Sequence, residues 1–215
     1  LATVSHEMRT PLAALSLRLE LMQRTMPDLP AAAKASIGMM RKHVAQESLM
    51  VNDLIDASRT LTGQMSIERQ PVALAQVLQD AVSTVAINAH DKQIMLQVTP
   101  SDYGAHIVLD ADGQRLQQVV WNLLLNAVKF TPEGGRIVLN VRQEASHVVI
   151  DVTDSGQGIE AHDLPHVFGA FNLQKQGNDS GLGLGLYIAR HIVELHGGTI
   201  TVDSRGLGHG ATFSI

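Results

Sequence analysis

The sequence predicts a helical hairpin followed by an α+β layered domain. Three observations carry that reading. Residues 1 to about 62 keep helical spacing with no strand alternation. Residues 63–71 are polar and rich in breakers. The remainder mixes alternating and helical runs without a strict βαβ repeat, which favours segregated layers over a doubly wound sheet.

In the first region, Leu12, Leu15, Leu19 and Met22 recur at steps of three and four, as one buried helix face requires. Pro27, Asp28 and Pro30 interrupt the pattern. A second periodic stretch follows through Ile37, Met40, Val44, Leu54, Ile55, Ala57 and Leu61, with Met50 and Val51 filling gaps. Two helices joined by a short loop form an antiparallel hairpin. One hairpin cannot enclose its own apolar stripe, whereas two can, as a twofold four-helix bundle. The reading is a homodimer through residues 1–65. Pro11 falls inside the first helix and removes a backbone donor there, so a kink is expected.

After the linker, residues 74–90 read as a helix, 93–99 and 105–110 as strands, and 112–130 as a strong helix. Residues 136–143 and 146–153 alternate as a hairpin pair. Residues 185–197 read as a helix, and 198–203 and 209–215 as strands. The second domain is therefore 72–215. Within it, residues 155–184 have little periodicity, and a loop of that length is usually functional.

Composition limits the functions. Of 215 residues, 45% are hydrophobic, enough for a packed core. A net charge of −5 and only one Trp, two Tyr and four Phe argue against nucleic-acid binding. The absence of cysteine removes disulfides, thiolate metal sites and cysteine nucleophiles together, and fits a reducing, cytoplasmic setting. No run of about 18 apolar residues is present, so no membrane contact is expected of this stretch. The chain starts without Met inside a helical pattern and reads as a fragment, leaving a sensor or membrane anchor to a longer protein.

Three groups of residues suggest chemistry. On the 112–130 helix, Arg115, Gln118, Asn122, Asn126 and Lys129 share a stripe beside the apolar face. Asn is a poor helix former, so two of them one turn apart call for a reason. Their amide oxygens suit a hard cation such as Mg²⁺, and Lys129 suits a phosphate; the plain alternative is two Asn satisfied by backbone. Asp154-Ser155-Gly156-Gln157-Gly158-Ile159 follows a strand. A carboxylate there suits the exocyclic amine of adenine and disfavours guanine, although Asp, Ser and Gly also simply form turns. Gly181, Gly183 and Gly185 precede a helix whose N-terminal amides suit phosphates. The spacing is neither a dinucleotide fingerprint nor a Walker loop. Finally, His6 lies beside the apolar stripe of the first helix. A neutral imidazole nitrogen is a competent nucleophile, Glu7 is placed to take a proton, and Thr10 sits one turn further on. Taken alone, His6 would read as a surface histidine.

Together these segments resemble the sensor histidine kinases of two-component signalling. SHEMRTPL is similar to the phosphoacceptor box, NLLLNAVKFTPEGG to the N box, DSGQGI and GLGLGL to the two glycine boxes, and VFGAF to the F box. Gly208 to Gly210 with Thr212 resembles the last small motif. The order is the family's, and the resemblance covers essentially the whole chain. It implies a dimerisation hairpin plus an ATP-binding sandwich of the GHKL, or Bergerat, type. It implies His6 as phosphoacceptor, Glu7 as base and Thr10 as the residue for dephosphorylating the partner. It implies Asn126 as ligand of Mg²⁺, with Asn122 and Lys129 near the phosphates of ATP. Asp154 would recognise adenine, Gly156, Gly158 and Ile159 would shape that pocket, and Gly181, Leu182, Gly183, Leu184 and Gly185 would face the phosphates. Phe171, Lys175 and Thr212 complete the implied nucleotide set, under a lid around 160–182. The partner implied is the receiver domain of a response regulator. The chain departs from many relatives in having Asn172 and Leu173, not Arg, after the F box, so that either Lys175 substitutes or the lid chemistry differs.

Other readings are weaker. Gyrase, mismatch-repair ATPases and heat-shock chaperones share the nucleotide boxes but not the His6 box. A degenerate scaffold would not need all of these side chains. A zinc site on His162 and His166 is rejected, since Pro165 breaks the local helix.

Overall fold

The computed structural model describes residues 2–26, 28–100, 102–171 and 182–215, with the side chains of residues 2–7 and 9 outside that description. The chain divides into two compact units, one built on residues 1–65 with the stretch that ends at Leu184, and the other on residues 66–172 and 185–215.

The helical unit is the expected hairpin. Helices α1 (Ala2–Thr25) and α2 (Ala31–Leu61) pack on each other. The helix assignment of α1 continues through Pro11. Leu19, Ile37, Val51, Ile55 and Ala57 are buried. Much of the predicted stripe is not: Leu15, Met22, Met40 and Leu54 remain exposed. The C-terminal end of α2 is tightly closed. The backbone N–H of Gln64 donates to the Arg59 carbonyl at 2.8 Å, and the Thr60 hydroxyl donates to Met65 Sδ at 3.3 Å.

The mixed unit holds β1 (Gln70–Ala73), α3 (Leu74–Asp91), β2 (Met95–Thr99), β3 (Val108–Ala111), α4 (Gly113–Phe130), β4 (Arg136–Gln143), β5 (Val148–Asp154), α5 (Gly185–Leu195), β6 (Thr201–Asp203) and β7 (Ala211–Ser214). β1 and β3 form a small antiparallel pair, and the larger sheet has the order β2-β4-β5-β7-β6. Only β2 and β4 run parallel within it. The linker predicted at 63–71 therefore ends sooner, because Gln70 and Pro71 already pair with Ala111 and Asp110. Pro71 is tolerated because this strand lies at an edge.

The sheet is two-faced. Ile137, Leu139, Val141, Ile150, Val152, Ala211 and Phe213 turn one way and are buried, and α4 packs against α3, α5 and β5. Register places Leu139, Val152 and Phe213 in one row across three strands. The alternate residues Asn140, Asp151, Thr153, Thr212 and Ser214 face the other way, as the period of two requires.

Helix α4 is held at both ends by distant groups. Asp112 is its N-cap and accepts from the Arg115 N–H at 3.1 Å. The other oxygen of Asp112 accepts from the Glu68 N–H at 3.1 Å, and the Asp112 N–H donates to His196 Nε2 at 2.9 Å. At the far end, Lys92 Nζ donates to the carbonyls of Val128 at 2.8 Å and Lys129 at 3.0 Å. A cation on those carbonyls offsets the helix dipole. Arg69 Nη2 donates to the Leu195 carbonyl at 2.8 Å, fastening the start of the unit to the end of α5.

Candidate active site

The predicted nucleotide residues gather on α4, the end of β5 and the start of α5. Asn122 is buried, and its Nδ2 donates to the Gly185 carbonyl at 3.1 Å. The plain reading thus holds for its amide nitrogen: Asn122 ties α4 to the first residue of α5. Asn126 lies one turn further on and is half-buried, and Lys129 is exposed with Nζ 5.1 Å from the Phe130 ring centroid. Among the described residues no cluster of three or more His, Cys, Asp and Glu could hold a metal. A cation here would rest on amide oxygens and substrate phosphates, a set that fits Mg²⁺.

Asp154 ends β5. Its cross-strand neighbours are Ile137 and Ala211, so the carboxylate sits in an apolar row and is 8% exposed. Burial pushes its pKa up, and N–H donors from Gly156 and Ala211 oppose that shift. The Gly156 contact measures 2.8 Å.

The glycines of this segment are packed closely against the protein's own backbone. A Cβ on Gly158 would stand 2.1 Å from the Gly206 carbonyl oxygen, and one on Gly156 would stand 2.6 Å from the Phe130 carbonyl oxygen. Gly210 meets the Asp154 carbonyl oxygen in the same way, at 1.9 Å. The 154–159 loop and the 204–210 loop are thus interlocked. Gly210 N–H donates to the Gly156 carbonyl at 3.1 Å, and Gly208 N–H to that of Gln157 at 2.7 Å. Ile159 is buried beside this seam, and its N–H donates to Ser204 Oγ at 3.0 Å.

Thr212 requires a correction. Its hydroxyl lies 3.0 Å from that of Thr153, on the sheet face opposite Asp154. The strand period puts Ala211, not Thr212, next to Asp154. Thr212 therefore leaves the nucleotide set.

Near the second glycine box, Leu182 and Gly183 are half-buried, Leu184 is buried, and Gly183 has φ +68°. Gly185 opens α5 with its Cβ position 3.5 Å from the Asn122 amide, ordinary contact distance. Gly181 and Lys175 lie outside the described residues, as does most of the expected lid. In the F box, Val167 is buried and Phe168 packs edge-on against Phe213 at 6.2 Å. Phe171 is 57% exposed with φ +59°. On α1, Thr10 is exposed, whereas the side chains of His6 and Glu7 lie outside the described residues.

Sequence reasoning missed Lys92, Asp112 and Ser204. The Asp112-Gly113 start is a readable N-cap signal. Lys92 and Ser204 carry no local signal, because their partners lie more than 30 residues away or across a loop.

Comparison with known proteins decides the family. Residues 1–63 match the model of the His Kinase A (phospho-acceptor) domain. Residues 111–215 match the Histidine kinase-, DNA gyrase B-, and HSP90-like ATPase. The chain belongs to the sensor histidine kinases. The phospho-acceptor match separates it from the gyrase and chaperone ATPases. Among relatives, it is 31% identical to the Sensor protein DivL of Caulobacter vibrioides, over 98% of this chain and 26% of that protein. It is 32% identical to the Aerobic respiration control sensor protein ArcB of Escherichia coli, over 100% of this chain and 28% of that one. The crystal structure of full-length ShkA in complex with AMPPNP superposes with a TM-score of 0.74 at 30% identity, over 99% of this chain and 44% of that one. This histidine kinase sequence thus spans under a third of the first two relatives. Among its described residues, no helix is long and apolar enough to cross a membrane.

Proposed function

We propose that this chain binds ATP with Mg²⁺, phosphorylates His6, and passes the phosphoryl group to an aspartate of a response regulator receiver domain. The observation that supports it most is the joint presence of a phospho-acceptor match containing His6 and an ATPase fold that buries Asp154 at the end of β5. The proposed division of labour is residues 1–65 for dimerisation and phosphotransfer and residues 72–215 for the nucleotide.

In this reading the neutral His6 nitrogen attacks the γ-phosphorus. A nitrogen–phosphorus bond forms, the bond to the β,γ-bridging oxygen breaks, and ADP leaves. Glu7 takes the proton from the other ring nitrogen. In the second step the aspartate oxygen displaces the imidazole. Thr10, one turn along α1, serves hydrolysis of the partner's acyl phosphate by positioning water. Asp154 accepts from the adenine amine, and Asn126 would hold Mg²⁺, with Asn122 and Lys129 toward the phosphates. When bound, the ion neutralises phosphate charge. Ile159, Leu182, Leu184 and Phe171 line the base and lid, with Lys175 and Gly181 completing the lid. The exposed Leu15, Met22, Met40 and Leu54 support a homodimer through the helical unit, because a monomer would leave them in water.

The test is incubation with γ-labelled ATP and Mg²⁺, wild type beside His6→Ala. Acid-labile, alkali-stable label in the wild type alone is expected. Label that persists in His6→Ala would move the acceptor elsewhere. Bound nucleotide without any label would make the chain a binding module.

A further inference from the structure

The seam between the 154–159 and 204–210 loops turns on one hydroxyl. Ser204 Oγ accepts from the Ile159 N–H at 3.0 Å and donates to the Gly210 carbonyl at 2.6 Å. It thereby joins the last residue of the DSGQGI segment to the glycine that backs Asp154. Gly210 is itself closely packed there, since a Cβ on it would stand 1.9 Å from the Asp154 carbonyl oxygen. A Ser between β6 and the Gly206 turn has no partner of its own in that strand pairing, because β6 ends at Asp203. Its hydroxyl serves the seam and, at 3.4 Å, also accepts from the Gly206 N–H of its own loop.

We propose that Ser204 is a positioning residue for base recognition, setting where Asp154 and Ile159 stand without itself touching the nucleotide. The inference rests on the reading of Asp154 as the adenine partner. Removing Oγ orphans the Ile159 and Gly206 N–H donors and the Gly210 carbonyl acceptor, all in loops that flank Asp154. The seam then widens at the base end while α4, α5 and their phosphate-facing amides keep their places.

The experiment measures affinity for ATP and for GTP, each with Mg²⁺, on the whole chain as wild type, Ser204→Ala and Ser204→Thr. Unfolding midpoints of the three are recorded without nucleotide. Ser204→Ala is expected to weaken ATP by about tenfold, the loss of one to two hydrogen bonds. GTP should change little, so the ATP-to-GTP ratio falls. In labelling assays the change should appear in KM and not in the rate at saturating ATP. Ser204→Thr keeps the hydroxyl and should restore the ratio. An unmoved ratio in Ser204→Ala, with a wild type that prefers ATP, would overturn the inference alone. So would an equal loss of both nucleotides with no rescue by Thr, which is the signature of general loosening. A wild type that binds neither nucleotide would overturn the nucleotide reading and this inference with it.

Discussion

Replacing Gly158 by Ala tests whether the first glycine box serves packing or ligand approach. Two costs add. Gly158 has φ +73°, where an alanine costs about 1–2 kcal/mol. The new Cβ would also stand 2.1 Å from the Gly206 carbonyl oxygen, so one loop must retreat by at least about 1.3 Å to reach ordinary contact distance. That retreat strains the Gly208–Gln157 and Gly210–Gly156 hydrogen bonds, each worth about 1 kcal/mol. The total is about 3 kcal/mol. Gly134 is the control: its φ is +76° and its Cβ position is open, so Gly134→Ala carries only the backbone cost. Any gain from a stiffer unfolded chain is common to both variants and cancels in the difference. Trp121, the single tryptophan, lies on α4, so its fluorescence follows unfolding of the mixed unit. With about 4 °C per kcal/mol for a unit of this size, Gly158→Ala should melt roughly 6 °C below Gly134→Ala. Equal midpoints would refute the packing argument. Equal midpoints with ATP affinity lost only in Gly158→Ala would return that glycine to ligand approach.

Three more expectations follow from the same geometry. Asp154→Asn should weaken ATP by roughly ten- to a hundredfold, read by titration calorimetry, because an amide donor replaces a charged acceptor; unchanged affinity would remove Asp154 as the base partner. Lys92→Met should cost about 1–2 kcal/mol in Trp121-monitored denaturation, since two α4 carbonyls lose their cation; an unchanged midpoint would show that water replaces it. Asp53 on α2 is pushed up to about 6 by burial and by the neighbouring Asp56 carboxylate. Its folded pKa exceeds the unfolded 3.8, so its contribution to stability is full below pH 4 and is lost as pH rises through 6. Wild type should therefore lose stability between pH 5 and 7 by about 1 kcal/mol, a figure discounted for partial solvent access, whereas Asp53→Asn should not. Parallel pH profiles would contradict this.

The sequence made legible what depends on periodicity. Both hairpin helices, α3, α4 and α5 follow from apolar spacing, and the β4–β5 pair from alternation. The strand β1 was hidden because Pro71 and its polar neighbours carry linker chemistry, and only the edge position beside β3 makes them a strand. The candidate site was legible as residue types but not as roles. DSGQGI could not reveal that Gly156 and Gly158 are filled by Phe130 and Gly206, since those contacts join loops far apart in sequence. Thr212 was misplaced by a single residue of strand register, which suffices to move a side chain to the other face. The tie from Asn122 Nδ2 to the Gly185 carbonyl was not readable, because that partner belongs to another helix.

The connection between α2 and β1 is shorter in effect than in length. Residues as far as Met65 are closed onto the end of α2, and from Glu68 onward the chain is fastened to Asp112 and Leu195. Only Ser66 and Ile67 lie between those two holds, with no hydrogen bond among the described residues. Each residue has two soft torsions, so the course of the backbone from Met65 to Glu68 is set by about four dihedral angles. A proline at the exposed Ser66 would fix one of those four angles, whereas a change at the half-buried Ile67 would also remove side-chain packing.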